Sequence, residues 1–198
     1  MREFRRVPSR TIWPIPCVTQ LRWSTKNASS LCQPNALHSL SKELFVEENL
    51  DLGEISFDRV FNARRDVVFR CMTNPADLCH FFGPAGVSAP IEKMKIELRT
   101  GGAFETVMVN DATGEEYPSI GEVVEVSEPT RLVCSEKASD NPEQPAMTTA
   151  IDFYDLGDGT TRTVTVQSNV PAMYRSPEAR AGMESYFEEF DKYLASLA

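Results

Sequence analysis

From Ile55 onward the chain alternates apolar and polar positions in blocks broken by turn residues. Ile55, Phe57, Val60 and Phe61, with Asp58 and Arg59 between them, make an opening run of β type. Arg65-Asp66 then leads into Val67, Val68, Phe69 and Met72, a short helical cluster ended by Thr73-Asn74-Pro75. Asp66 places negative charge near the start of that helix, where the backbone dipole favours it. Pro75 opens a second short helix, Ala76 to Phe81, because a proline ring suits the first helical position. Gly83-Pro84-Ala85-Gly86 stops it.

The stretch up to Pro171 reads as strands. Ile91, Met94, Ile96 and Leu98 lead to Gly101-Gly102, after which Phe104, Thr106 and Met108 alternate with Glu105 and Val107. Asp111-Ala112-Thr113-Gly114 is a hairpin signal, followed by a strand from Tyr117 to Val126 and a turn at Glu128-Pro129-Thr130. Leu132 to Glu136, Thr148 to Tyr154 and Thr161 to Gln167 complete the set, the last two joined by Leu156-Gly157-Asp158-Gly159. Strands linked by turns alone must be antiparallel neighbours, so the class is α+β.

The C-terminal helix carries the clearest pattern. Ser176 is a good N-cap, Pro177 sits at the first helical position, and Glu178 complements the dipole. Ala179, Met183, Phe187, Phe190, Leu194 and Leu197 recur at steps of three and four, a continuous apolar stripe with Glu184, Glu188, Glu189, Asp191 and Lys192 on the other faces. Such a stripe must lie along something apolar. A curved antiparallel sheet of six or seven strands is the only candidate.

Charge divides the chain. The net charge of -9 combines +6 over residues 1–42 with -15 over the remainder. A body that acidic repels phosphate backbones, which argues against nucleic acid as a partner. No apolar run reaches the ~18–20 residues of a membrane-spanning helix. The five cysteines are odd in number with no CxxC spacing, and there are two histidines, so neither a metal site nor any other cofactor is expected.

Residues 1–45 read as an extension to a domain spanning residues 54–198. Their prolines (Pro8, Pro14, Pro16, Pro34) break helices, and disorder is the common expectation. Three origins stay open: a disordered tail, a start site lying nearer Leu44 or Val46, or an arginine-rich mitochondrial transit peptide cut at Arg22-Trp23-Ser24. A cytoplasmic location is expected, with the mitochondrial matrix as the alternative if residues 1–23 are removed on import.

Several motifs then carry a family resemblance. Thr73-Asn74-Pro75-Ala76-Asp77-Leu78 through Phe81-Phe82-Gly83-Pro84 resembles a T-D-P-x-x-L-x-x-W-F-G-P signature, with Phe81 in the tryptophan position. Leu98-Arg99-Thr100-Gly101-Gly102-Ala103-Phe104 is similar to L-R-P-G-G-A-W. Glu116-Tyr117-Pro118, Gly121, Glu125 and Pro129-Thr130-Arg131-Leu132 follow in order, and Gly182-Met183-Glu184 with Phe187 resembles the G-M-E…W of a closing helix. Residues 54–197 thereby resemble the activator of heat-shock-protein-90 ATPase-like branch of the START-like superfamily. The resemblance implies the helix-grip fold, in which a sheet wraps around the last helix.

It also implies three roles. In the superfamily the space between sheet and helix is either packed core or a cavity for a small hydrophobic ligand. Alternation points Phe104, Thr106, Met108, Val123, Ile151 and Phe153 into that space from the sheet, and Met183, Phe187 and Phe190 from the helix. Phe81 and the family acid Glu125 complete the candidate set. Sequence does not separate cavity from core. A chaperone partner is the second implication, although residues 1–53 are too short to be the module that contacts the chaperone in the best-known relative. The third is enzymatic, as in polyketide cyclase or hydrolase relatives. His80 directly follows Cys79, a poor spacing on a helix for a Cys–His pair, and Cys79 reads as a small buried residue beside a solvated His80. No residue pattern compels catalysis.

Overall fold

The computed structural model describes residues 51–137 and 145–198; the expectations for residues 1–45 lie outside them. One sheet dominates. Its strands are β1 (Leu52–Phe61), β2 (Val87–Ser88), β3 (Lys95–Ile96), β4 (Ala103–Asn110), β5 (Glu116–Ser127), β6 (Arg131–Glu136), β7 (Met147–Asp155) and β8 (Thr161–Pro171). The order across the sheet is β1-β8-β7-β6-β5-β4-β2, with β3 also pairing β4, and every pairing is antiparallel. Helices α1 (Arg65–Thr73) and α2 (Pro75–Leu78) follow β1, and α3 (Pro177–Ser196) closes the chain. This is the α+β helix-grip arrangement, with eight strands when the two-residue β2 and β3 are counted.

Local chemistry sets the helix ends. Ser176 Oγ accepts the Ala179 backbone N–H at 3.2 Å, and Pro177 begins α3. The Glu178 carboxyl is held below its usual value, first by a backbone N–H and then by the Ser176 hydroxyl. Asn74 caps α2, its Oδ1 accepting the Ala76 N–H at 2.9 Å. Helix α2 ends at Leu78, three residues earlier than the sequence suggests, and the chain continues as turns through Phe81. Ile91–Lys93 forms a single 3-10 turn in place of extended chain, which leaves β3 only two residues long.

Two glycines act differently within one turn. Gly101 has φ of +73°, a conformation costly for other residues. Gly102 is required for space instead: a Cβ there would sit 2.1 Å from the Glu97 carbonyl oxygen.

The C-terminal half of α3 anchors the core. Phe187 and Phe190 are buried against Phe57 and Phe61 of β1, with centroids 5.5 Å apart for Phe57–Phe187 and 4.9 Å for Phe61–Phe190. Phe81 stacks on Phe190 at 4.2 Å, and Phe69 of α1 meets Phe153 of β7 edge-on at 5.3 Å. Leu194 is buried as the stripe requires, whereas Leu197 lies past the helix end and is exposed.

Polar ties fix the helix about its axis. Arg59 bonds Glu184 at 2.8 Å and Asp191 at 3.1 Å, one turn either side of Phe187, and its guanidinium lies 5.3 Å from the Phe187 ring centre. Tyr193 donates to Asp77 at 2.8 Å, joining α3 to α2. Half-exposed ion pairs add little stability, so the aromatic packing dominates.

Phe190→Ala should therefore cost about 3–5 kcal/mol, the range for truncating a buried phenylalanine, measured by urea unfolding. Gly102→Ala should be destabilising although it adds one carbon. Glu97→Ala should not rescue it, because the clash is with backbone.

Candidate functional site

The interior is not uniformly filled. Beneath the middle of α3 lies a cavity of about 150 Å³. Met183, Tyr186 and Phe187 roof it, Met72, Leu78 and Phe82 close the side near α1 and α2, and the inner face of the sheet makes the floor. That floor includes Phe104, Leu132, Cys134, Met147 and Ile151, with Ser119, Glu136, Thr149, Thr165 and Gln167 as its polar members.

Sheet register explains the floor. Leu132, Cys134 and Glu136 alternate onto one face of β6, opposite Ile151, Thr149 and Met147 of β7. Gly121 of β5 faces Phe104 of β4 and contributes no side chain. Thr149 and Gln167 pair across β7 and β8 and share a hydrogen bond of 3.2 Å.

Of the eleven candidates read from sequence, the cavity brings together Phe104, Ile151, Met183 and Phe187. Phe81, Val123, Phe153 and Phe190 are instead buried in the packed core. Thr106 and Met108 are buried on β4 but do not line the cavity. Glu125 lies on the other face, where it bonds Arg131 at 3.1 Å. The cause is a bulge in β5: the register with β6 shifts between Val123 and Glu125, so Val123 faces Cys134 but Glu125 faces Val133. One extra residue reverses the alternation beyond it. Cys79 is half-buried, not fully buried, and the exposed His80 stacks on Tyr193 at 5.0 Å.

Glu136 is not among the eleven candidates, yet it lines the cavity. Among the described residues it is the one acid on the cavity wall, and no Lys, Arg or His accompanies it there. The Ser119 hydroxyl hydrogen-bonds the carboxyl, yet Oε1 is buried without a partner among the described residues. Burial pushes the carboxyl up to about 7, against the smaller opposing effect of Ser119. The thiol of Cys134, on the same strand, is pushed up to about 12 by burial and by the Glu136 charge. Burial also raises the Tyr186 phenol, so both neighbours are neutral at physiological pH. The signal in the sequence is the alternation of Leu132, Cys134 and Glu136, which aims a carboxylate inward. Among the described residues, no three His, Cys, Asp or Glu groups gather as a metal site, and no helix is long and apolar enough to cross a membrane.

A bent antiparallel sheet closed by a C-terminal helix over a partly hollow interior defines a START-like helix-grip domain. The chain belongs to the family described as activator of Hsp90 ATPase homolog 1-like protein, whose model matches residues 62–195. No curated protein matches the chain. Among solved structures, a Nitrosomonas europaea protein is similar at 23% identity and a TM-score of 0.63, over 73% of this chain and 95% of its own. A Chromobacterium violaceum protein is 21% identical with a TM-score of 0.61, covering 72% and 96%. The AHSA1 protein of Silicibacter pomeroyi is 19% identical with a TM-score of 0.60, covering 73% and 99%.

The raised Glu136 value sets a pH dependence of stability. The folded state holds this proton more tightly than the unfolded chain, whose value is near 4.5. Its contribution is therefore complete below about pH 4.5 and is lost as pH rises through about 7. Relative to wild type, Glu136→Gln should gain roughly 3 kcal/mol between pH 4 and pH 8, since each pH unit separating the folded and unfolded values is worth about 1.4 kcal/mol. Parallel denaturant titrations of the two proteins measure it. A constant difference across that range would place Glu136 in solvent.

Proposed function

We propose that this domain binds a small hydrophobic ligand between the sheet and α3. The supporting observation is the cavity of about 150 Å³ whose wall combines Phe104, Leu132, Ile151, Met183 and Phe187 with a few polar groups. Apolar walls with a small number of polar groups are the usual composition of a binding site. Size then restricts the occupant. Pockets for drug-sized ligands hold ~300–1,000 Å³, whereas a dry apolar cavity of ~150 Å³ binds benzene. One ring or a short chain fits; a sterol or a multi-ring polyketide exceeds the space.

The role proposed is binding rather than catalysis. His80 stacks on Tyr193 at the surface, away from the cavity wall, and Cys134 within the wall is held as a neutral thiol. Burial and the neighbouring Glu136 charge both disfavour its thiolate, which leaves it a weak nucleophile. Chaperone association is the second role that the family description suggests. It rests on that description alone, whereas the cavity belongs to these residues.

Ethylbenzene is a suitable probe. Titration followed by amide and methyl NMR should move Ile151, Met183 and Phe187 and leave the outer face of β5 unchanged. Met183→Trp, which fills the space from the roof, should abolish those shifts while keeping the folded spectrum. Wild-type spectra unchanged by the hydrocarbon would remove the proposal.

A further inference from the structure

Every described residue on the cavity wall except Glu136 is apolar, neutral and polar, or a weak acid held in its protonated form. A hydrocarbon ligand would fill the space but leave Glu136 Oε1 buried and without a donor among the described residues. A ligand with its own carboxylate would set a second negative charge beside the first in a low-dielectric site, and no basic side chain among the described wall residues would offset it. A ligand ending in a protonated nitrogen supplies both a donor and the missing opposite charge.

Placement fits the same chemistry. Glu136 is the last residue of β6, opposite Met147 and beside Ser119, so its carboxyl marks one end of the hollow. Apolar residues such as Leu78, Ile151 and Phe187 share the wall with the neutral polar side chains of Thr149, Thr165 and Gln167. From this arrangement we propose that the cavity selects small lipophilic amines, with the ring or short chain under α3 and the ammonium group on Glu136. This rests on the ligand-binding reading above and adds to it the charge and class of the ligand.

Three probes of matched shape test it: ethylbenzene, 2-phenylethylamine and 3-phenylpropionate, titrated by calorimetry and NMR at pH 8. The amine should bind at least roughly tenfold more tightly than ethylbenzene, the factor expected of one charge-assisted hydrogen bond. The phenylpropionate should bind more weakly than either. Glu136→Gln should remove the amine's advantage and restore the acid, while ethylbenzene binding persists as the check on folding. If ethylbenzene binds but the amine binds no better, the assignment of Glu136 is overturned and the cavity reading stands. An amine preference that survives Glu136→Gln overturns it equally. If neither ethylbenzene nor the amine binds, both readings fall together.

Discussion

The domain is organised by the contact between the phenylalanines of α3 and those of β1. A curved sheet has a concave apolar face that cannot stay wet, and one long helix must cover it. Phe187 and Phe190 of the last helix meet Phe57 and Phe61 of the first described strand, and Phe81 stacks on Phe190 from the α2 region. Burying a phenylalanine contributes about 1.5–3 kcal/mol relative to exposing it. Five of them in one cluster exceed the surface ion pairs of Arg59 in stabilising effect. Those pairs set orientation: with Glu184 and Asp191 both held by Arg59, α3 keeps Phe187 facing the sheet. The turn of the helix that carries Met183 is thereby fixed over the sheet's centre.

Such anchoring allows the interior to differ along the helix. Near Phe190 and Leu194 the packing is solid. Toward Met183 the floor includes Gly121, Ser119 and Thr149, which are too small to reach the roof. An unfilled space lowers stability through lost dispersion contacts, and the buried Glu136 adds the cost of desolvating a carboxyl. Both penalties fall on the wall of one hollow, which borders the aromatic anchor at Phe187. An unfilled space and a buried carboxyl on the same wall are the features on which the proposed ligand-binding role rests.

Much of the fold is legible in the chain because its signals are periodic. The Ser176-Pro177 start and the three–four spacing from Ala179 to Leu194 define α3, and turn residues delimit every long strand. Short elements are harder, since Ile91 reads as the start of a strand with Met94, Ile96 and Leu98, whereas Ile91–Lys93 turns through local hydrogen bonding. The site is legible in part. Phe104, Ile151, Met183 and Phe187 follow from alternation, but alternation does not distinguish a wall from a core, and Phe190 and Val123 fall on the filled side. Glu125 illustrates the sharper limit: one bulged residue in β5 turns it outward, and no composition rule marks that bulge. Glu136 has the inward phase in the sequence itself. A carboxylate at a strand end is ordinarily solvated, and that general preference obscures the local pattern.

Size and charge then act on ligand choice through separate parts of the wall. In the proposed role the volume would exclude large ligands whatever their polarity, because Phe187 is held by both Phe57 and Arg59 and cannot retreat without disturbing the anchor. The sign of the ligand's charge would be decided by Glu136, at the end of β6. A change at one end therefore need not alter the other: enlarging the hollow would admit longer molecules without changing their preferred charge, and neutralising the acid would relax charge preference without changing length. The size limit is local because packing acts only within a contact distance, whereas a buried charge is felt along the whole hollow through the low-dielectric interior.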